Sequence, residues 1–250
     1  MRILLTNDDG IHAPGLHALL EALRPLGHVT VVAPDRERSA VGHSLTFHSP
    51  LRVRPLPGEE NLVQFVTDGT PTDCVLLALY HLMPERPDLV FSGVNRGANL
   101  GDDITYSGTV SAAMEGLIHG VPSVAVSLLG RHPVHYATAA AFAARLAGKV
   151  MEQGMPARTF LNVNVPDLPL EAIQGVRVTR QGHSIYDQRI VKRVDPFGMD
   201  YYWVTGAIPT GNPDEGTDFQ ALHEHCISVT PVQTNLTHFA LLEEIRGWEL

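Results

Sequence analysis

Through roughly its first 165 residues the chain alternates short, almost wholly apolar strands with helical segments, and this rhythm limits the folds open to it. RILLT (2–6) reads as a strand. GLHALLEALRPLG (15–27) reads as an amphipathic helix, with Leu16, Leu19, Leu20 and Leu23 at helical spacing and Gly27 past its end. HVTVVAP (28–34) and LVQFVT (62–67) are strands, and TPTDCVLLALYHLM (70–83) is a helix with Pro71 in its first turn. DLVFSG (88–93) and PSVAVSL (122–128) are strands around a small-residue helix, SGTVSAAMEGLIHG (107–120). A long Ala-rich helix covers 134–154. Strands this uniformly apolar are covered on both faces. The expectation is an α/β fold, with a Rossmann-like, mostly parallel sheet in a three-layer α/β/α arrangement.

The rhythm breaks later. TFLNVNVP (159–166) and GVRVTR (175–180) read as strands with no helix of useful length between them. SIYDQRIVKRV (184–194) and DYYWVTG (200–206) read as two arms of an extended ribbon. TDFQALHEH (217–225) reads as a short helix, CISVTPV (226–232) as a last strand and THFALLEEIRGWEL (237–250) as a terminal helix. The chain thus divides into a core, 1–170, and a C-terminal elaboration, 171–250. The apolar ribbon residues Ile185, Tyr186, Ile190, Tyr201, Tyr202 and Trp203 need a partner surface, because an isolated hairpin is marginal in water.

In an open parallel sheet ligands bind beyond the carboxyl ends of the strands. Three polar loops fall there: Asn7-Asp8-Asp9-Gly10, DRERSAVGHS (35–44) and VNRGANLGDDITYSGT (94–109). Asp8 and Asp9 would point apart in a continuing strand and converge only if the chain turns, as Gly10 permits. Two converging carboxylates repel unless a cation lies between them, and a divalent ion is the natural candidate. Ser107-Gly108-Thr109 opens a helix, where plain capping by Ser107 and anion binding share one geometry. Asp35-Arg36-Glu37-Arg38 reads as a surface charge run. The glycines at 93, 97 and 101 fit neither a dinucleotide fingerprint nor a Walker loop, and no G-x-S-x-G elbow is present. The HEHC run (223–226) lacks the second cluster that a zinc site needs.

A net charge of −9 argues against a general affinity for nucleic-acid duplexes, leaving room only for a local basic patch. Two distant cysteines, Cys74 and Cys226, suit a reducing compartment. No stretch approaches the ~20 apolar residues of a membrane span, and the opening apolar run is too short for a signal peptide. A cytoplasmic protein is expected.

ILLTNDDG, APDRERSAVGHSLT, TDGTPTDCV, SGVNRGANLGDDITYSGTVSAAMEG and LNVNVP, in this order and spacing, together resemble the survival protein SurE family of metal-dependent acid phosphatases and nucleotidases. The likeness is strong over residues 1 to about 170 and looser beyond, where SVTPVQTNLTH resembles the family's closing strand and loop. It implies one divalent ion per subunit held by Asp8, Asp9, Ser39 and Asn95, an all-oxygen set suited to Mg²⁺ or Mn²⁺. It further implies hydrolysis of phosphate monoesters, above all nucleoside 5′-monophosphates, and a homodimer or homotetramer with exchanged C-terminal elements. Asp8, Asp9 and Asn95 would then be catalytic, and Asn95, Ser107, Gly108 and Thr109 would hold the phosphate. Asn162 and Asn164 share a strand face and either line the site or serve ordinary strand hydrogen bonding.

Overall fold

A nine-stranded sheet forms the centre of the protein, described by a computed structural model over residues 1–206 and 210–248. In chain order the elements are β1 (Arg2–Thr6), α1 (Pro14–Leu23), β2 (His28–Pro34), β3 (Val53–Glu59), β4 (Leu62–Thr67), α2 (Pro71–Leu77), β5 (Leu89–Arg96), α3 (Gly108–Ile118), β6 (Ser123–Leu128), α4 (Tyr136–Gln153) and β7 (Thr159–Val165). There follow β8 (Val176–Val178), β9 (Ser184–Ile185), β10 (Gln188–Val194), β11 (Asp200–Gly206), β12 (Thr210–Gly211), α5 (Asp218–His223), β13 (Ile227–Gln233) and α6 (Phe239–Arg246).

The sheet order is β3-β4-β2-β1-β5-β6-β7-β13-β8. The run from β4 to β7 is parallel; β3 and β13 pair antiparallel to β4 and β7. The chain first builds outward from β1 through β2 to β4, then returns to lay β5 on the other side of β1. The order therefore reverses between β1 and β5, and a crevice opens beyond their carboxyl ends.

Alternation along β1 sets the two faces. Ile3 and Leu5 enter the larger core with Leu16, Leu19 and Leu23 of α1 and Phe142 of α4. Leu4 faces the other way, onto Cys74, Val75 and Ala112 of α2 and α3. The central strands β1, β2, β5, β6 and β7 thus bury both faces, which is why they read as almost unbroken apolar runs.

Three elements add to or depart from what the sequence alone suggests. β3 was not expected, since Pro55 and Pro57 interrupt its pattern; it is an edge strand, where a missing N–H is tolerated. α2 ends at Leu77 and widens into a looser turn over Ala78–Leu82. β13 returns from the C-terminal part to sit between β7 and β8 in the core sheet. The terminal helix spans Phe239–Arg246, and the last two residues expected in it lie outside the described ones.

β10 and β11 pair as the expected ribbon, and Ile190, Tyr202, Trp203 and Val204 on it are exposed. No described helix is long and apolar enough to cross a membrane. Cys74 and Cys226 are free and buried.

Thr70 anchors the start of α2: its hydroxyl accepts the Asp73 N–H at 3.1 Å and donates to Ser44 O at 2.8 Å, while Asp73 reaches back to the Thr70 N–H at 2.9 Å. Thr70→Ala should cost about 1–2 kcal/mol, whereas Thr70→Ser should cost much less. The check is thermal melting, with a loss of roughly 2–4 °C per kcal/mol for a domain of this size; equal melting of the two variants would show that the hydroxyl is dispensable.

Candidate active site

The turn after β1 is built by Asn7, a fully buried residue at the start of the first polar loop, to which the sequence alone assigns no role. Its side chain donates to Gly10 O at 2.9 Å and accepts from Gly10 N at 3.2 Å, closing the turn on itself. Gly10 has φ +98°, and a Cβ there would lie 3.1 Å from the Arg36 backbone. The turn brings Asp8 and Asp9 to the crevice between β1 and β5. It also draws in the loop after β2, because Arg38 N donates to Asp8 O at 2.7 Å.

Asp8 is 4% exposed and lies beneath the first residues of α3. A Cβ on Gly108 would stand 2.8 Å from Asp8 Cβ and 3.0 Å from Asp8 Oδ2, so only glycine allows this approach. The Thr109 hydroxyl donates to Asp8 Oδ1, and the Thr109 backbone N–H also favours the ionised carboxylate. Burial nonetheless dominates and, with the nearby Asp9 charge, pushes the Asp8 carboxyl up to about 6. Ser107 caps α3 by accepting the Val110 N–H at 3.1 Å, which leaves its own hydroxyl proton free to donate.

Asp9 is also held above the ordinary carboxylate value by burial, opposed by the Arg96 N–H, which donates to Asp9 Oδ2 at 2.9 Å. Arg96 continues to Glu37 at 2.9 Å, and Ser39 Oγ donates to the other Glu37 oxygen at 2.6 Å. The run expected to be plain surface charge is therefore partly structural. Asp35, Arg36 and Glu37 are exposed, but Glu37 joins two loops, and Arg38 reaches Asp68 O.

Asn95 lies at the end of β5, just past a register shift against β6 between Ser92 and Asn95. Its Nδ2 donates to Gly97 O at 2.8 Å, leaving Oδ1 as the free end of the amide. Asn162 and Asn164 do share one face, and both are buried. Each donates to Asn99 O at 2.9 Å, and Asn164 Oδ1 accepts from Asn99 N at 2.7 Å. They shape the loop after β5 from beneath. Asp218 steadies the same loop by accepting Gly101 N and Gly182 N, each at 2.9 Å. No motif marked Asp218, because its partners are backbone amides distant in sequence.

The residues present fit a hard divalent cation. Asp8, buried, and Asp9, half-buried, are both held above the usual carboxylate value by burial, and the neutral oxygens of Ser39 and Asn95 could complete the donor set. Among the described residues no group of three or more His, Cys, Asp or Glu could hold a metal, so any ion here must rely on such neutral oxygens. Beside the carboxylates, across Arg96, lies a cavity of about 710 Å³ with apolar walls from Leu100, Leu129 and Phe219 and a polar rim of Arg131, His132 and Asp103.

Asp8 binds its proton more tightly in the folded chain, at about 6, than at the ordinary value of 3.8. That contribution to stability is complete below the ordinary value and is lost as pH rises through about 6. In chelator, Asp8→Asn should therefore match the wild type near pH 4 and exceed it at pH 7.5 by up to roughly 3 kcal/mol. Melting curves across that range test this, and a difference that does not vary with pH would count against it.

Comparison with known proteins places this geometry. The survival protein SurE family model matches residues 3–188. The chain is 57% identical to the 5′-nucleotidase SurE of Geobacter sulfurreducens, covering 100% of this chain and 94% of that one. It is 53% identical to the 5′-nucleotidase SurE of Geotalea daltonii across 100% of both chains. The crystal structure of the SurE protein from Aquifex aeolicus superposes with a TM-score of 0.83 at 45% identity, covering 98% of each chain. With a match over most of its length and relatives above half identity from end to end, this chain belongs to the survival protein SurE family.

Proposed function

We propose that this chain is a metal-dependent 5′-nucleotidase that hydrolyses nucleoside 5′-monophosphates to nucleoside and phosphate. The observation that carries the reading is the adjacent pair Asp8, buried against the start of α3, and Asp9, half-buried beside Arg96, at the point where the strand order reverses, with a ligand-sized cavity alongside. Relatives at 57% and 53% identity bear the name 5′-nucleotidase and support the same activity here.

Asp8, Asp9, Ser39 and Asn95 would hold one divalent ion, Mg²⁺ or Mn²⁺ by the hardness of the set. When bound, the ion would polarise the phosphoryl group and offset the carboxylate charge. The Ser107 hydroxyl, the Gly108 backbone N–H and the Asn95 amide are donors for the phosphate oxygens as negative charge develops. Thr109 acts one step back: its proton goes to Asp8 and fixes that carboxylate. Asp8 is enclosed by Gly108 and Thr109, which favours water over Asp8 as the attacking group. The water oxygen forms the new P–O bond while the bond to the 5′ oxygen breaks; one water proton passes to that oxygen, so the nucleoside leaves as its alcohol, and the other stays with the hydrogen phosphate. The cavity walls of Leu100, Leu129 and Phe219 suit a nucleoside.

Residues 1–170 would supply this chemistry and 171–250 the assembly surface of a homodimer or homotetramer, since the exposed Trp203, Val204 and Ile190 of the ribbon need covering. Free buried thiols suit a cytoplasmic setting.

Asp9→Asn should abolish or nearly abolish phosphate release from nucleoside 5′-monophosphates while the protein stays folded, and should shrink the melting gain from excess Mn²⁺. Retained turnover with an equal Mn²⁺ shift would remove Asp9 from the site. Thr109→Val should reduce turnover by roughly tenfold to a hundredfold. It should also destabilise the fold above pH 7, because Asp8 loses a donor where it is ionised. A kinetic loss at unchanged stability would instead place the Thr109 hydroxyl on the phosphate.

A further inference from the structure

The connection from β2 to β3, residues 35–52, has no regular structure of its own, yet it carries Ser39 and Glu37 to the crevice. Its course is set by bonds to neighbouring elements. Arg38 N reaches Asp8 O at 2.7 Å, and Gly42 N reaches Tyr106 O at 3.0 Å. Ser44 O accepts from Thr70, and Thr46 donates to both Asp73 oxygens at 3.0 and 2.6 Å. Between these ties lies His43, whose Nε2 is 2.7 Å from Glu115 Oε2. This is the side-chain tie between the loop and α3.

Glu115 is an unusual occupant of its position. It is 4% exposed on a helix that otherwise buries small and apolar residues such as Val110, Ala112, Ala113 and Leu117. Burying a carboxylate is costly and adds nothing to the packing of that helix. Both its oxygens are nevertheless satisfied: the second lies 2.9 Å from Nε2 of His119, one turn on, and His119 Nδ1 lies 2.8 Å from the Tyr80 hydroxyl. Burial pushes the Glu115 carboxyl up, but His43 and His119 outweigh it and hold it below the ordinary carboxylate value. Those two histidines are the titratable side chains that bear on it, one from the loop and one from its own helix, with Tyr80 behind His119. Glu115 also belongs to the same rigid helix as Gly108 and Thr109, which enclose Asp8. Fixing the loop to Glu115 therefore fixes it relative to Asp8.

We propose that Glu115 and His43 are positioning residues of the active site, whose bond clamps the 35–52 loop to α3 and so holds Ser39 in register with Asp8 and Asp9. The inference rests on the reading of Ser39 as part of the metal site. The carboxylate is kept in the helix because an apolar residue there could not hold the loop, and the loop has no core of its own to hold it.

The test measures Mn²⁺ affinity by calorimetry and amide exchange over residues 37–46 by mass spectrometry. The proteins are wild type, Glu115→Gln, His43→Ala, His43→Gln, Ser39→Ala and the double variant His43→Ala/Glu115→Gln. His43→Ala and Glu115→Gln should each weaken Mn²⁺ binding by about tenfold, as expected when the support of a ligand is lost, and both should speed exchange in the loop. The double variant should be no worse than the weaker single, since Glu115→Gln leaves one oxygen for two histidines and so weakens the same bond that His43→Ala removes. His43→Gln, which keeps a donor, should recover most of the affinity. A general loss of packing would not show that recovery or that non-additivity. His43 sits at the protein surface, so its variants stay testable even if Glu115→Gln folds poorly. Wild-type Mn²⁺ affinity and loop exchange in folded His43→Ala would overturn the clamp. Wild-type affinity in Ser39→Ala would overturn the ligand reading by itself, whatever the clamp variants do.

Discussion

The arrangement at the carboxyl edge of the sheet depends on burying one carboxylate, that of Asp8, beneath the first turn of a helix. The approach of α3 is so close that residue 108 must lack a Cβ, and the next residue must present a hydroxyl to Asp8. The helix start offers unpaired N–H groups and the positive end of its dipole, which offset part of the charge. They do not offset all of it, because Asp8 and Asp9 both remain harder to ionise than free carboxylates. The folded chain is thus left with an electrostatic debt that a divalent cation would cancel.

Around that pair the loops are joined to one another more than to the core. Asn7 closes the first turn, and Arg96 links Asp9 to Glu37. Glu37 in turn holds Ser39, while Asn99, Asn162 and Asn164 lock the loop after β5 to the strand beneath it. Buried polar groups are costly unless paired, and here the pairing specifies where each loop goes. The site is rigid where it meets the sheet and open towards the cavity beside Arg96, an arrangement that suits a small ligand with one charged end.

The C-terminal part serves both regions. β13 completes the sheet between β7 and β8, and Asp218 steadies the loop that borders the cavity. The β10–β11 ribbon does neither and leaves its aromatic face exposed. β13 is thus part of the fold's central sheet, whereas Trp203 and Val204 of the ribbon stay uncovered.

Much of this was legible in the sequence, because it follows from local rules. Apolar runs such as RILLT and HVTVVAP specify two-sided burial, so the parallel sheet and its three layers could be read directly. The turn at Asn7–Gly10 announces converging acids, since the strand must stop there for Asp8 and Asp9 to meet. The polar face of Asn162 and Asn164 was visible too, but not whether it met a ligand or a loop; strand periodicity fixes a direction and is silent on what lies across the gap. The same limit hid Asp218 and the Glu115–His43 bond, whereas β3 was hidden by its own prolines. The partners of Asp218, His43 and Glu115 lie far away in sequence or are backbone groups with no residue signature. Thr109 shows the division within one side chain. The sequence by itself determined that a hydroxyl stands at a helix start, a position that serves capping and anion binding alike. Only the tertiary structure, by bringing β1 against α3, decided that its proton goes to Asp8, because a hydrogen bond is assigned by distance in space and not by separation along the chain.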